Sequence, residues 1–355
     1  MKKILILVLL VAVSIVFSFN TAEYTSAKIM GLGGAYTAIA NDEMALFYNP
    51  AGLAYIDPGM MGHINVEGTA ALDNGITQII NILEHQNFVA AATTLNGKSG
   101  SEFFGAGISY FTQGMSLGAF TSMKLFHKYY IDHVHVDINK TSLICVGFAS
   151  KMNPDFALGV TFKALNLEGI NSDLTYTYLN SKGAFTGMTF WQDDYDKRLS
   201  LGTNVGAMYK MGDLGFGASV ENLFTMEASK VDSSGSNVSV NNSEAPKPII
   251  RLGLGYVTNQ TLLAADIANI TDAANMTYHF GVQQKLLDIP FFEWLGGITA
   301  RAGYLTGKKD GIGISSATIG AQARFLIAYL NINFAEKIIG GNKTQELSVS
   351  GQFTF

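Results

Sequence analysis

The sequence predicts an all-β fold: a transmembrane antiparallel β-barrel of about fourteen strands. Three observations carry this. The final strand has a strict two-sided pattern: Leu347, Val349, Gly351, Phe353 and Phe355 fall on one face, and Ser348, Ser350, Gln352 and Thr354 on the other. Side chains of a strand alternate between faces, so one face is apolar and the other polar. Charged residues make up only 14% of the chain, against about 25% in ordinary soluble domains. Yet 48% of residues are hydrophobic, and after the first residues no apolar run is long enough for a membrane helix of about 20 residues.

The elements follow in chain order. Lys2 and Lys3 precede an apolar run from Ile4 to Phe17, with small Ser18 after it. This is the pattern of a secretory signal peptide over 1–18, with cleavage expected after Ser18. Residues 59–355 form the expected barrel, and 19–58 the segment between signal and barrel. Alternation recurs through the barrel region. Phe156, Leu158, Val160 and Phe162 oppose Ala157, Gly159, Thr161 and Lys163; Met276, Tyr278, Phe280 and Val282 oppose Thr277, His279 and Gly281. Phe103 to Met123 carries no charge but is broken by four glycines, so it reads as strand and loop. The abundance of glycine suits crowded interiors, turns and bulges.

The connections divide into two kinds. Asn96 to Gly100, Lys151 to Asp155, Lys210 to Asp213 and Thr258 to Gln260 read as tight. Ala71 to Gln86, Thr112 to Lys140, Glu168 to Lys197 and Thr225 to Pro246 read as long. Alternating short and long connections are the mark of bacterial barrels. Counting back from Phe355 places the first strand near Met60 to Gly68. Gln113-Gly114 could form a tight turn and hide one more strand, in which case Met60 to Gly68 would join the plug. Glu168 to Lys197 reads as a tyrosine-rich loop with Trp191 and an acidic cluster (Asp193, Asp194, Asp196), better explained by solvation than by a cation. Ser229 to Glu244 reads as a flexible solvated loop.

Between signal and barrel lies the stretch Met30 to Glu43, with Gly33, Gly34 and Asp42, followed by Met44 to Ala54, with Asn49, Pro50, Ala51 and Gly52. The glycine pair, the acidic pair and Asn-Pro-Ala-Gly-Leu occur in that order in the plug of FadL-type outer-membrane proteins and their PorV/PorQ-like relatives, which this segment resembles; the resemblance implies that residues 19–58 are a plug held in the barrel lumen. Val220-Glu221-Asn222-Leu223 and Arg301-Ala302-Gly303-Tyr304 are similar to barrel strands of the PorV-like group. The physics suits a confined lumen. Glycine permits close backbone approach, and Pro50 pushes Asn49 towards an extended form. The glycines lack the Gly-x-Gly-x-x-Gly spacing of a nucleotide loop, because Tyr36 stands where the third belongs.

The resemblance implies a bacterial outer-membrane location and assembly by the barrel-assembly machinery. It also implies passive transport of small hydrophobic molecules, long-chain fatty acids among them. The alternative within the resemblance is a permanently plugged scaffold that binds a secreted or surface protein. With apolar faces outward, Lys163, Arg251, Lys285, Arg301 and Arg324 look inward, against Glu221, Asp266 and Glu346. Arg251, Arg301 and Arg324 are expected to pair with Asp42 and Glu43, in preference to holding a ligand carboxylate. Phe353 and Phe355 are expected to close the barrel.

Other chemistries are not indicated. The net charge of −5 and the lack of a basic patch give no nucleic-acid partner. The lone Cys145 can form no internal disulfide and reads as packed or lipid-facing. His133 and His135 would share a strand face, but zinc wants three or four ligands, so they read as loop histidines. No serine elbow or phosphate loop is present. Neither an enzyme nor a cofactor is expected.

Overall fold

The computed structural model describes residues 26–56, 63–73, 99–129, 133–178, 185–231, 237–238, 247–287, 295–325 and 328–354. Fifteen strands make one antiparallel sheet. They are β1 (His63–Asp73), β2 (Ser99–Thr112), β3 (Met115–Tyr129), β4 (His133–Lys151), β5 (Phe156–Tyr178), β6 (Phe185–Met211), β7 (Leu214–Val231), the two-residue β8 (Asn237–Val238), β9 (Ile249–Val257), β10 (Thr261–Ala268), β11 (Thr277–Leu287), β12 (Leu295–Lys309), β13 (Ile312–Phe325), β14 (Ala328–Ile339) and β15 (Asn342–Thr354). All but β8, which pairs only with the tip of β7, form a closed ring of fourteen. Closure is made by β1 on β15, from Asn65 opposite Thr354 to Asp73 opposite Glu346. Full closure leaves no unpaired edge, which is what a hydrocarbon environment requires of a sheet. Phe353 faces outward near the end of β15; Phe355 lies outside the described residues.

Alternation decides which side faces what. On β15, Leu347, Val349 and Phe353 are exposed on the outer surface, while Ser348 and Ser350 are buried. The same division holds for Phe162 and Leu158 against Thr161 and Ala157, and for Phe280 and Val282 against His279. The ring is thus apolar on its outer surface and carries many polar side chains on its inner face, although Phe111, Phe120, Leu143 and Leu165 also point inward into a buried apolar cluster. No helix among the described residues is long and apolar enough to cross a membrane.

Three tight connections lie where the sequence places them, at 152–155, 212–213 and 258–260. Two long ones do not exist as expected. Gln113-Gly114 is a tight turn, with Gly114 at φ +87°, and β3 fills much of Thr112 to Lys140. The corollary fails, however: β1 remains in the wall, paired with both β2 and β15. The strand implied between Gln86 and Asn96 lies outside the described residues, so β3 supplies the fourteenth member. Glu168 to Lys197 is mostly ladder, since Glu168 to Tyr178 of β5 pairs with Phe185 to Lys197 of β6. Its tyrosines, threonines and Trp191 are β-formers, and the pairing absorbs them. His133 and His135 likewise sit in β4, not in a loop. Ser229 to Val231 belong to β7, and most of the expected Ser/Asn-rich loop lies outside the described residues.

The asymmetry is therefore one of wall height. β5 and β6 have 23 and 27 residues, β9 and β10 only 9 and 8. A tilted strand of about 9–11 residues crosses a bilayer, so the low side just spans one. The high-side strands are 14 to 19 residues longer (23 − 9 and 27 − 8), or about 46–63 Å of additional strand at about 3.3 Å per residue.

Candidate functional site

Residues 26–56 lie in the bore. They begin with the helix α1 (Ala27–Gly31), whose first turn is capped by Ser26, with Ile29 N donating to Ser26 Oγ at 3.4 Å. A second short helix, α2 (Ala45–Tyr48), leads into a 3₁₀ turn at Pro50–Tyr55. Each helix is little more than one turn, too short to leave a periodic signal in the sequence. Gly33 and Gly34 are left-handed, at φ +64° and +86°, which a side chain would strain.

Asn49 is extended, at φ −162° and ψ 99°, as the following proline demands. Its side chain pins three pieces of backbone. Nδ2 donates to Thr37 O at 2.8 Å and to Ala207 O of β6 at 3.0 Å, while Oδ1 accepts from Ala51 N at 3.2 Å. Pro50 starts the 3₁₀ turn, where a missing N–H is harmless. Gly52 packs its Cα face on the Ala40 carbonyl, leaving no room for a Cβ.

The wall receives this segment along glycines. Gly159 stands opposite Gly206, Gly217 opposite Gly253, and Gly281 opposite Gly303 in neighbouring strands. All six face segment atoms: Asn49 and Pro50 at the first pair, Thr37 and Ala38 at the second, Leu32 at the third. A Cβ on Gly253 would lie 2.9 Å from Ala38 N, and one on Gly281 2.6 Å from Leu32 O. Segment backbone thus sits where wall side chains would otherwise project. These pairs are visible in the sequence only as glycines on the polar face; their alignment depends on register.

Asp266, expected to point inward, does so and accepts from Tyr36 N at 2.7 Å and Thr37 N at 2.8 Å through Oδ2. One wall carboxylate thereby satisfies two buried backbone donors. His279, not singled out from sequence, donates from Nδ1 to Gly33 O at 2.7 Å, and its Nε2 meets Thr277 Oγ1 at 2.9 Å. Since a carbonyl only accepts, this fixes the Nδ1–H tautomer. Asn333 donates to Ala27 O at 2.6 Å, Thr318 to Gly31 O at 3.3 Å, and Asn204 to Leu46 O at 3.3 Å. These neutral residues escaped sequence reasoning, which followed charge.

The expected ion pairs between wall arginines and segment acids are not the ones formed. Asp42 pairs with Lys28 of its own segment at 2.6 Å and accepts from Tyr36 Oη at 2.5 Å. Glu43 accepts from Asn65 at 2.7 Å and from Gln352 at 3.3 Å. Arg251 pairs with the wall acid Glu221 at 2.9 Å and lies over the Tyr48 ring, 5.4 Å from its centroid. Arg301 bonds the amide oxygens of Gln283, Gln322 and Asn331 at 2.6–2.8 Å. Arg324 is exposed, over the Tyr329 ring. The physical reason is reach: short segment acids find partners in the segment and on β1 and β15, while each arginine is satisfied by its neighbouring strands. Lys163 is buried on the inner face of β5.

The segment closes only part of the bore. Leu53 O accepts from Gly114 N, and Tyr55 Oη donates to Asp155 O, both in tight turns, so its carboxyl half sits at the turn end. Towards the high end two cavities remain. One of 610 Å³ spans the bore from Thr141, Lys163 and Leu165 to Lys308 and Ile314. The other, of 420 Å³, lies over Gly33, Gly34 and Tyr48, with Arg251, Lys309 and Lys337 around it. A third hollow of 670 Å³ is on the outer face, lined by Leu117, Ile144, Phe162, Leu201 and Phe224. Lys163 borders both this hollow and the larger cavity. Just above, β7 carries three residues, Glu221 to Leu223, against the single Asn204 of β6, with Asn222 at φ +54°. This bulge is the Val-Glu-Asn-Leu stretch singled out in the sequence. No group of metal-ligating residues occurs among the described residues.

A closed, outwardly apolar antiparallel ring with a folded segment in its bore defines the class of membrane β-barrels. No protein-family model and no curated protein matches the chain. Solved structures do. A FadL homologue from Pseudomonas aeruginosa superposes with a TM-score of 0.56 at 13% identity, covering 95% of this chain and 99% of that one. CymD, a monoaromatic hydrocarbon channel, gives 0.59 at 10% identity, over 92% and 96% of the two chains. The toluene transporter TbuX of Ralstonia pickettii gives 0.57 at 12%, over 94% and 99%. The fold is that of a FadL-type barrel.

Proposed function

We propose that this chain is a channel of the bacterial outer membrane for passive passage of small hydrophobic molecules, with residues 26–56 as its plug. The observation that supports it best is the division of the bore. Vestibules of 610 and 420 Å³ stand open towards the high end, while the turn end is filled by a segment seated on the wall through hydrogen bonds and close packing. Such a seat holds a closed state and can be left without breaking the barrel, whose own ladder is complete without it. The structural neighbours CymD and TbuX, a hydrocarbon channel and a toluene transporter by name, support the same class of cargo. The lysines and arginine around the vestibules favour a molecule with an anionic end, such as a long-chain fatty acid, over a bare hydrocarbon.

In this reading a ligand partitions into the vestibule, the plug shifts, and the ligand leaves at the turn end down its concentration gradient. The outer surface meets lipid, and the barrel-assembly machinery inserts it. The test is uptake by liposomes carrying the purified protein, with labelled toluene and labelled oleate as cargo. Uptake above that of empty liposomes, faster still when residues 26–56 are deleted, is expected. No uptake of either cargo by the intact or the deleted protein overturns the proposal.

A further inference from the structure

The contact between the segment and β1 is crowded with acid. Glu43 is buried, with Oε1 held by Asn65 of β1 and Gln352 of β15; among the described residues its Oε2 has no hydrogen-bond partner. Asp42 precedes it, and Glu67 of β1, also buried, acts on it electrostatically. Against these three carboxylates stands, among the described residues, one ammonium, Lys28, already bonded to Asp42 and to the Tyr36 hydroxyl. Arg301 of β12 acts on Tyr36 and Asp42 through its field, each of its three nitrogens being bonded to an amide oxygen. From β15 the facing group, Gln352, is neutral. Three buried carboxylates with one cation cannot all be ionised cheaply.

We propose that this cluster is a proton-dependent latch, in which protonated Glu43 holds the segment on β1 and β15 and its ionisation loosens that seat. The direction follows from burial first, then from Asp42 and Glu67, all of which raise the Glu43 pKa well above the ordinary carboxylate value. An acid whose pKa is raised in the seated state loses seating strength as pH climbs from its ordinary value, about 4.3, towards the raised one. Below that window the latch is fully made, and within it the seat weakens by up to about tenfold per pH unit. The latch rests on the reading of residues 26–56 as a displaceable plug, but not on what passes through the barrel.

Hydrogen exchange of the amides of 36–49, corrected for intrinsic rate, reads the seat directly in detergent-solubilised full-length protein between pH 5 and pH 8. Protection in the wild type is expected to fall at least tenfold across that range. In Glu43→Gln, which keeps an oxygen for Asn65 and Gln352, it is expected to stay flat. Glu67→Gln, which removes a like charge that raises the Glu43 pKa, is expected to shift the fall to lower pH while keeping the barrel intact, so the test survives if Glu43→Gln fails to assemble. A flat wild type, or a full fall in Glu43→Gln, or no shift in Glu67→Gln, overturns the latch. Loss of liposome uptake with the pH response intact would count against the transport reading alone.

Discussion

The segment has two seats, and they are built of different materials. On β7, β9, β11 and β12 its backbone lies against cross-strand glycine pairs, with Asp266 of β10 gripping two successive N–H groups. On β1 and β15 it is held by side chains, chiefly Glu43 on Asn65 and Gln352, within an acid-rich cluster. The first depends on shape, because a single added methyl group collides with backbone. The second depends on protonation. A seat made of shape holds under all conditions; a seat made of acids can be changed by them. On the proposed reading the segment leaves only when both yield, and the polar one sets the conditions.

The largest effect is expected from spoiling shape. Gly253→Val places a Cβ 2.9 Å from Ala38 N, so the segment must move out. A loss of about 3 kcal/mol of seating would appear as rapid proteolysis within 26–56 and faster liposome uptake, with the barrel itself intact. Asp266→Ala comes next. It leaves the amides of Tyr36 and Thr37 without their acceptor, at about 1–3 kcal/mol for each unsatisfied buried group, and hydrogen exchange at those two amides should rise most. Asn49→Ala removes three hydrogen bonds and should cost about 2 kcal/mol, read as increased exchange across 37–51. Glu43→Gln should be the smallest at low pH and visible only as pH rises. Equal sensitivity of all four variants to pH would erase the distinction between the seats.

How much of this was legible in the sequence differs between wall and bore. The strand pattern of β15 and the inward direction of Asp266, Glu221 and Arg251 follow from period two alone, because each strand meets lipid on one side; the count of fourteen agrees, but with β3 as a member where the sequence reading had a long connection. The height of β5 and β6 did not, since polar and aromatic residues at 168–197 can be a loop or a ladder, and only pairing decides. In the bore, Asn49-Pro50 and Gly33-Gly34 were readable because proline and left-handed glycine constrain the backbone locally. Partners were not. Asp42 finds Lys28 fourteen positions earlier, and Asp266 serves backbone 230 positions away; no spacing rule contains such contacts. The charge-led reading also passed over Asn204, His279 and Asn333, neutral groups that donate to segment carbonyls, and Asn65, which donates to the Glu43 carboxylate.

The central claim, that the segment must leave its seat for anything to pass, has a direct test. A Cβ built on Gly255 would lie 3.5 Å from the Ala38 Cβ, close to the separation of about 3.8 Å found in disulfides. Ala38→Cys with Gly255→Cys, in a Cys145→Ala background, should therefore tie the segment to β9. Oleate uptake into liposomes should fall to the level of empty vesicles when the pair is oxidised and return on reduction. Equal uptake in the oxidised and reduced protein, with the cross-link verified by mass spectrometry, would contradict the account.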